Sequence, residues 1–299
     1  MRILRLTALL ALALGTACAS PFGPTAPVGH ELAAVGPEDT LLDLARAHDL
    51  GYREIVAANP GVDPWLPPEG ESVVLPTTHL PPDAPREGIV VNLATQRLWW
   101  FGPEGNALSY PIGIGRPGWR TPIGATLVRR KKEGPSWHPT ASARREDPSL
   151  PRAVGPGPDN PLGTHAIYLA WPRYLIHGTD EPYGVGRRVS RGCIRLYPED
   201  IPDLYARTEI GLAVRVVNQP VQLGWIDDEL YVDVHPALSQ SSEDPPPPTA
   251  LEGTLERRLR EAAGGAGARV DWDAVGVALA EQTGVPTRVT GPGTVSATR

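Results

Sequence analysis

Two residues in one short stretch of this chain, a histidine and a cysteine, could together carry out nucleophilic chemistry. Residues 174–197 contain His177, at the end of an apolar run, and Cys193, which follows Ser190 and Gly192. A cysteine is a strong nucleophile only as the thiolate, and a nearby imidazole commonly generates that form at neutral pH. Small residues beside the cysteine let backbone N–H groups approach a developing oxyanion. The alternative is a buried structural cysteine with an unrelated histidine.

The pattern around these residues is more specific than a lone cysteine and histidine. The letters H-G-T from His177, followed by S-R-G-C-I-R from Ser190, resemble the signature of the L,D-transpeptidases (YkuD-like), a family of bacterial cell-wall enzymes. The resemblance implies that Cys193 attacks the peptidoglycan stem tetrapeptide, releases its terminal D-alanine and transfers the acyl group from a thioester to an amine. It implies no metal and no cofactor.

The resemblance also assigns roles around the thiol. His177 would be the base, and the backbone carbonyl of Gly178 would hold its ring, because one ring nitrogen faces the sulfur and the other needs an acceptor. The N–H groups of Arg191, Gly192 and Cys193 would hold the oxyanion. Many family members have a second histidine at position 191, so the arginine here leaves a single candidate base.

Further side chains near the motif have predicted roles. Ser190 is expected to be structural or a hydrogen-bond donor near the thiol. Arg195 lies two residues after the nucleophile, on the same face of an extended segment, where a planar guanidinium suits a substrate carboxylate. A surface arginine is the alternative. Asp180 and Glu181 are close enough in sequence to compete for the histidine ring.

By resemblance, two upstream stretches should lie beside the substrate cleft. The letters T-P-I-G from Thr121 would form a tight turn that contacts the substrate. Residues 131–163 are dense in proline, glycine and charge, and we expect them to cover the donor peptide as a lid, with Trp137 and His138 as contacts. The alternative is a solvated insertion, because loops of this length are either functional or disordered.

Composition and charge bound the class of protein. The chain has 299 residues, enough for a sizeable core and two small domains. Its net charge is −6 and its calculated pI is about 5.7, so no basic footprint indicates nucleic acid as a partner. Its 35 prolines and 32 glycines are expected of loop-rich β structure with linkers.

Residues 1–19 resemble an export signal, with two arginines before an apolar run that is too short to span a bilayer. The sequence fits either cleavage after Ala19 or a lipoprotein signal that lipidates Cys18. The product would therefore lie in the periplasm or cell envelope, either free or lipid-anchored to the outer membrane. Cys18 and Cys193 are the two cysteines, so Cys193 lacks an internal disulfide partner, and catalysis would explain an unpaired thiol in an oxidising compartment.

Residues 30–77 predict a small separate domain with the order strand, helix, helix, strand. The letters D-T-L from Asp39, the helix cap at Thr40 and A-N-P-G around Asn59 are similar to a LysM module, which binds the glycan of peptidoglycan. The resemblance places Asp39, Thr40 and Asn59 near a sugar groove. The alternative is a generic α+β cap on the catalytic domain.

Residues 86–218 predict the catalytic domain, after a proline-rich joint. Strand-like runs recur with turn signals about every ten residues, and one short helix is indicated, which predicts a mainly β fold, either a β-sandwich or a mixed sheet. The resemblance implies the same fold. Among the expected strands, one covers residues 110–114, and another covers residues 212–217 and closes the sheet.

The C-terminal part carries no recognisable chemistry. Residues 219–237 predict an appended hairpin, and residues 238–299 predict a proline-rich linker and a weakly structured, partly helical or disordered tail. Leucines four residues apart indicate a helix from residue 251, and a weaker helix is indicated at 271–281. From residue 283 onward no pattern is present, and disorder is expected.

The implied partners are peptidoglycan stem peptides and glycan strands, with membrane contact only through a lipid anchor. The acyl acceptor could be another stem's amine, a lysine of a wall-anchored lipoprotein, or water, which would give L,D-carboxypeptidase activity. Two other classes compete, an inert peptidoglycan-anchored scaffold and a zinc amidase that uses His177 and Cys193. The complete motif argues against the first, and the lack of HxxxH or CxxC spacing in the sequence argues against the second.

Overall fold

The computed structural model describes residues 31–239, 249–264 and 270–290. The predicted export signal, with Cys18, lies outside the described residues, as does the linker at 240–248. Within the described ranges, no helix combines the length and the apolar character needed to cross a bilayer.

The N-terminal unit has the predicted order of elements. It consists of β1 (Glu31–Ala34), α1 (Leu41–Ala47), α2 (Tyr52–Ala58) and β2 (Ser72–Leu75), and β1 pairs with β2 in antiparallel register. Alternate residues of β2 are buried and join apolar residues of both helices in one small core. The strand pair therefore holds the two ends of the helical pair together.

The predicted catalytic unit is built on a large mixed sheet, which confirms the predicted fold class. Its strands are β3 (Gly88–Asn92), β4 (Arg97–Phe101), β5 (Ala107–Pro111), β6 (Ile114–Gly115), β7 (Gly124–Glu133), β8 (His165–Leu169), β9 (Leu175–His177), β10 (Arg188–Ser190), β11 (Ile194–Arg195) and β12 (Ala213–Val217). The sheet order is β11-β9-β8-β7-β12-β3-β4-β5, and β6 and β10 form a separate parallel pair. Two helices accompany the sheet, α3 (Ala141–Glu146) and α4 (Asp200–Arg207).

The centre of this sheet is buried on both faces. Ile89 and Val91 of β3 belong to the main core, whereas Val90 between them packs with Trp99 and Phe101 in a second cluster. Successive side chains of a strand point to opposite faces, which explains the division. The continuous apolar run of β3 is therefore that of an interior strand.

Two strands differ from their predicted places. The strand expected at residues 110–114 is β5, which ends at Pro111. The chain then leaves β4, and the backbone of Gly113 pairs with that of Arg195, two residues after Cys193. β12 does not close the sheet but lies inside it, parallel to β3 and antiparallel to β7. Alternation along the sequence identifies a strand but not its neighbours, which decide its place in the sheet.

The C-terminal segment is more ordered than the sequence predicts. Its elements are β13 (Val221–Ile226), β14 (Glu229–Val234), α5 (Thr249–Ala262), α6 (Trp272–Glu281) and β15 (Thr287–Arg288). The hairpin and both helices are found close to their predicted positions. The disorder expected from residue 283 is wrong for residues 283–290, because β15 pairs with β14. Apolar side chains of the hairpin and both helices share one core.

Candidate active site

Two adjacent parallel strands bring the predicted catalytic residues together. β9 ends at His177, and β11 begins one residue after Cys193, with Arg195 in register with His177. Side chains two residues apart on a strand face the same side, so Cys193 and Arg195 share the face that carries His177. Ile176 of β9 and Ile194 of β11 point to the other side and belong to the main core, which anchors both strands.

These three side chains line one cavity of about 490 Å³. Its described lining includes no carboxylate but four arginines, which are Arg130, Arg173, Arg191 and Arg195. A concave site lined by one sign of charge attracts ligands of the opposite sign, so the cavity suits an anionic ligand. Among the residues that the structure describes, no cluster of three or more His, Cys, Asp or Glu side chains is arranged to hold a metal ion.

The His177 ring is held in one tautomer. The side chain is buried, and Nδ1–H donates to the carbonyl of Gly178 at 2.6 Å, which leaves Nε2 as a proton acceptor. Burial, followed by the positive charge of Arg195, lowers the pKa of His177 to about 3. The ring is therefore neutral at neutral pH. The partner of Nδ1 is the predicted carbonyl and neither Asp180 nor Glu181.

The Cys193 thiol is partly enclosed by the turn between β8 and β9. Its Sγ donates to the carbonyl of Arg173 at 3.6 Å. Burial raises the pKa of the Cys193 thiol, while the N–H of Leu175 and the charge of Arg195 act in the opposite direction. Arg173 has a φ of 72°, which is unusual for a residue other than glycine, and this conformation accompanies the approach of its carbonyl to the sulfur.

Two buried hydroxyls shape the loop that carries Cys193. Ser190 Oγ accepts from the Gly192 N–H at 3.1 Å and donates to the Cys193 carbonyl at 2.5 Å. Thr121 Oγ1 accepts from the Gly115 N–H at 3.3 Å and donates to the Gly192 carbonyl at 3.0 Å. Since these hydroxyls bond backbone on both sides of the turn, they set the conformation of the loop.

These bonds bear on two predictions. The Gly192 N–H is engaged by Ser190, so it is not free to hold an oxyanion in this conformation, whereas the same role for the N–H groups of Arg191 and Cys193 stays a prediction. Thr121 is 4% exposed and lies outside the cavity lining. Its hydroxyl bonds and supports the loop that carries Cys193, and its role in substrate binding stays a prediction.

Arg195 lines the cavity and pairs with a carboxylate. Its side chain is 17% exposed, and Nη1 donates to Glu181 at 3.3 Å. Its Nε is buried and has no hydrogen-bond partner within the described part of the chain. The guanidinium lines the cavity and already holds one carboxylate, so its exposed part suits a second carboxylate from a substrate. The predicted role in substrate binding stays a prediction, which this geometry favours.

The segment 131–163 forms a wall of the cavity and is not a solvated insertion. Its first residues extend β7, and the backbone of Trp137 pairs with that of Val154. The amide of the fully buried Asn160 donates to two backbone carbonyls of the segment. Trp137 and His138 both line the cavity, the position expected of lid contacts.

Sequence reasoning assigned no role to several cavity residues. Trp119, Arg130 and Tyr168 line the cavity, and the Arg130 guanidinium lies 3.8 Å from the centre of the Tyr168 ring. Trp119 lies two residues before the T-P-I-G turn, where the sequence pattern indicates the turn and nothing about its neighbours. Arg130 and Tyr168 pair across β7 and β8, and no local pattern reveals such a cross-strand contact.

Two of the three predicted glycan-binding residues of the N-terminal unit have structural roles. Thr40 caps α1, because its hydroxyl accepts from the Asp43 N–H at 3.2 Å. The buried Asn59 side chain bonds both the N–H and the carbonyl of Val74, at 2.7 and 2.8 Å. Both polar groups are engaged within the unit, and the roles of Thr40 and Asn59 in glycan binding stay predictions. Asp39 is half-buried, and its role stays a prediction.

Comparisons with known proteins identify the family of this chain. Residues 86–217 match the family model of the L,D-transpeptidase catalytic domain, YkuD. The chain is 36% identical over 276 residues to "Probable L,D-transpeptidase ErfK/SrfK" of Escherichia coli (strain K12), covering 88% of this chain and 87% of that protein. It is 41% identical over 213 residues to "Probable L,D-transpeptidase YcfS" of the same organism, covering 68% and 67%. This protein belongs to the L,D-transpeptidase family.

The chain also resembles a solved structure. It aligns with the NMR structure of the catalytic domain from E. faecium L,D-transpeptidase acylated by ertapenem, with 26% sequence identity and a TM-score of 0.35. The alignment covers 46% of this chain and 100% of that chain.

Proposed function

We propose that this protein is a peptidoglycan L,D-transpeptidase with Cys193 as its nucleophile. The observation that carries the proposal is the placement of Cys193 and His177 in one cavity, with Nδ1 of the ring held by Gly178. A thiol and an oriented imidazole are what acyl transfer through a thioester requires. Membership of the L,D-transpeptidase family supports peptidoglycan as the substrate.

In the first half-reaction, Nε2 of His177 takes the proton of the Cys193 thiol as the sulfur attacks the carbonyl of a stem tetrapeptide, at the bond between its diamino acid and D-alanine. The N–H groups of Arg191 and Cys193 hold the oxyanion. When this intermediate collapses, the C–N bond breaks and the imidazolium gives its proton to the leaving amine. D-alanine departs, and the thioester remains.

In the second half-reaction, an acceptor amine attacks the thioester and gives a proton to His177. The C–S bond breaks, and Cys193 leaves as a thiolate that recovers the proton. An amine of another stem would give a cross-link, and a lysine of a wall-anchored lipoprotein would give protein anchoring. Water as acceptor would give L,D-carboxypeptidase side activity.

Substrate binding would strengthen the base. The charge of Arg195 contributes to the low pKa of His177, and a carboxylate bound by Arg195 would offset that charge. The pKa of His177 would then rise when substrate enters. The empty site would keep its thiol protonated, and the occupied site would activate it.

The N-terminal unit would bind the glycan of the same substrate as a LysM-like module. Trp65 and Leu66, in the loop after α2, are 48% and 82% exposed, and the Tyr52 ring lies 6.5 Å from that of Trp65. Exposed apolar surface of this kind often marks a binding site. These side chains are better placed to meet a sugar than the engaged Thr40 and Asn59.

The export signal predicted at residues 1–19 would place the enzyme in the periplasm, either free or anchored to the outer membrane through a lipid on Cys18. The lipid-anchored product keeps Cys18 and carries the added mass of the lipid, whereas the free product starts after Ala19. The mass of the mature chain therefore distinguishes the two products.

Incubation of the mature chain with a carbapenem tests the catalytic assignment, because the β-lactam carbonyl mimics the scissile amide. Intact-protein mass spectrometry should show one adduct, which maps to Cys193 after digestion. Cys193→Ala should fold normally and remain unlabelled, and an adduct on that variant would refute the nucleophile. Release of D-alanine from a disaccharide tetrapeptide tests the substrate.

A further inference from the structure

A carboxylate-binding arrangement at the rim of the cavity is occupied by a residue of the protein itself. Oε2 of Glu146, the last residue of α3, accepts from Nη2 of Arg116 at 2.8 Å and from Nη2 of Arg191 at 2.7 Å. Charge-assisted hydrogen bonds from guanidinium groups are a strong way to recognise a carboxylate. The bound carboxylate here comes from the chain itself.

Both arginines have supports that do not depend on Glu146. Their guanidinium groups lie over the Trp119 ring, 5.6 Å from its centre for Arg116 and 5.8 Å for Arg191, and cation–π contacts favour these positions. The Arg116 N–H donates to the Ser190 carbonyl at 2.9 Å. Arg191 is therefore part of the loop that carries Cys193, and Arg116 belongs to a segment that is bonded to this loop. Glu146, in contrast, comes from the segment 131–163.

Exchange of Glu146 for another carboxylate should cost little. The side chains of Arg116, Glu146 and Arg191 are 41%, 40% and 36% exposed, and ion pairs this exposed contribute little to stability. The hydrogen bond from Arg191, and then that from Arg116, lower the pKa of Glu146. The group in the site is thus an ionised carboxylate, which another carboxylate can replace in kind.

We propose that Arg116 and Arg191 form a binding site for a carboxylate of the entering stem peptide, and that Glu146 fills this site in the empty enzyme. The identity of the ligand rests on the proposed function. Arg191 and Cys193 line the same cavity, so the site lies beside the nucleophile. It is separate from Arg195, whose own partner is a different carboxylate.

Alkylation of Cys193 by iodoacetate and by iodoacetamide tests the site without peptidoglycan. In both reactions the thiolate displaces iodide from a CH₂ group, but only iodoacetate carries a carboxylate. The ratio of the two rates therefore cancels changes in the thiol itself. We expect Glu146→Gln to raise the iodoacetate-to-iodoacetamide ratio about threefold or more, and adding Arg116→Gln to remove most of that gain.

Asp147→Asn is the matched control, because it removes the same charge from the next residue. The Asp147 carboxylate bonds Ser149 and neither arginine of the pair, so the ratio should stay within about 1.5-fold of the parent's. If the iodoacetate-to-iodoacetamide ratio rose equally in Glu146→Gln and Asp147→Asn, the effect would come from net charge alone. That result would overturn the proposed site. An unchanged ratio in Glu146→Gln would overturn it as well.

A stem tetrapeptide identifies the ligand. In Arg116→Gln we expect KM to rise about fivefold with kcat within about twofold, the pattern of lost ground-state binding. Altered alkylation ratios with an unchanged KM would overturn the assignment of the site to the stem peptide. Alkylation ratios as expected, with no carbapenem adduct and no D-alanine release, would instead refute the proposed function and leave the carboxylate site standing.

Discussion

At the scale of the residue, the site pairs a neutral imidazole with a protonated thiol. A preformed thiolate–imidazolium pair would need a raised pKa for His177 and a lowered pKa for Cys193. Both pKa shifts have the opposite direction, because burial disfavours the charged form of each group. Proton transfer should therefore accompany attack on the substrate.

The pH dependence of alkylation follows from this pair. The pKa of His177 is about 3, so the ring is already neutral well below neutral pH, and the rate of reaction with iodoacetamide should show no inflection between about pH 5 and 7. The rate should keep rising beyond about pH 8.5, the ordinary pKa of a thiol. A plateau reached below neutral pH would contradict the neutral pair. His177→Ala should react more slowly near neutral pH, since the base is lost.

Substitution of Gly192, the residue before Cys193, provides a second test at the scale of the residue. Gly192 has a φ of +102°, and a Cβ there would lie 2.9 Å from the Arg120 carbonyl oxygen, so Gly192→Ala should cost about 1–3 kcal/mol of folding free energy and slow acylation of Cys193. Gly118→Ala is the control, because Gly118 has a φ of +80° with nothing within 4 Å of its Cβ position. It should cost about 1 kcal/mol and leave acylation unchanged. Denaturant melts and carbapenem labelling measure the two effects, and matching losses in both variants would argue against the clash.

At the scale of the element, segments without a strong pattern become ordered by what they pack against. α5 and α6 lie on the β13–β14 hairpin, and Leu255, Leu259 and Val275 are buried there. Each helix presents only a modest apolar face on its own. The hairpin supplies the other half of the core, which neither part could form alone.

A single truncation tests that packing. Leu259 is fully buried, so Leu259→Ala should destabilise the protein by about 2–4 kcal/mol through lost burial and a cavity. Val277 on α6 is 51% exposed, and Val277→Ala should stay within about 0.5 kcal/mol of the parent. Urea unfolding measures both, and a Leu259→Ala melt that overlays the parent's would mean that α5 is not part of the fold. Carbapenem labelling of Cys193 should survive in either variant.

At the scale of the whole molecule, a buried ion network joins the N-terminal unit to the catalytic sheet. Glu54 of α2 lies 3.0 Å from Nη1 of Arg97 on β4 and 3.3 Å from Nε2 of His79. Burial opposes the ionisation of Glu54, but the charge of Arg97, the neighbouring His79 and the hydrogen bond from the Gly51 N–H outweigh it and lower the pKa of Glu54 to about 2. The two units are therefore coupled by a charge that must stay paired.

Glu54→Gln should cost about 3–5 kcal/mol, because it leaves the Arg97 charge buried without its partner. The pKa of Glu54 is lowered from 4.5 to about 2, so its contribution is fully present above about pH 4.5 and is lost as the pH falls towards 2. Glu54→Gln should remove that part of the acid dependence. Glu199→Gln breaks the exposed pair with Arg46, 2.7 Å apart across the same interface, and should cost no more than about 1 kcal/mol. The unfolding free energies of both variants should be measured across pH. Equal losses with the same pH dependence in the two variants would refute the network.

The sequence by itself predicted the catalytic residues on which the proposed function rests, and it determined most of the local elements. Cys193 and His177 stand in one contiguous motif, whose meaning depends on residue types and spacing alone. The helices α1 and α5 follow from local apolar periodicity, and α1 also from its cap at Thr40. These features depend on interactions within a few residues, so the chain order is enough to reveal them.

Only the tertiary structure decided which polar groups are already engaged and which distant segments meet. The engagement of the Gly192 N–H, the interior place of β12 and the meeting of Glu146 with Arg116 and Arg191 had no signal in the sequence. Each depends on strand register and on packing between parts of the chain that lie far apart. The physical reason is that a hydrogen-bonding group has many possible partners along the chain, and only the folded backbone brings one of them within bonding distance.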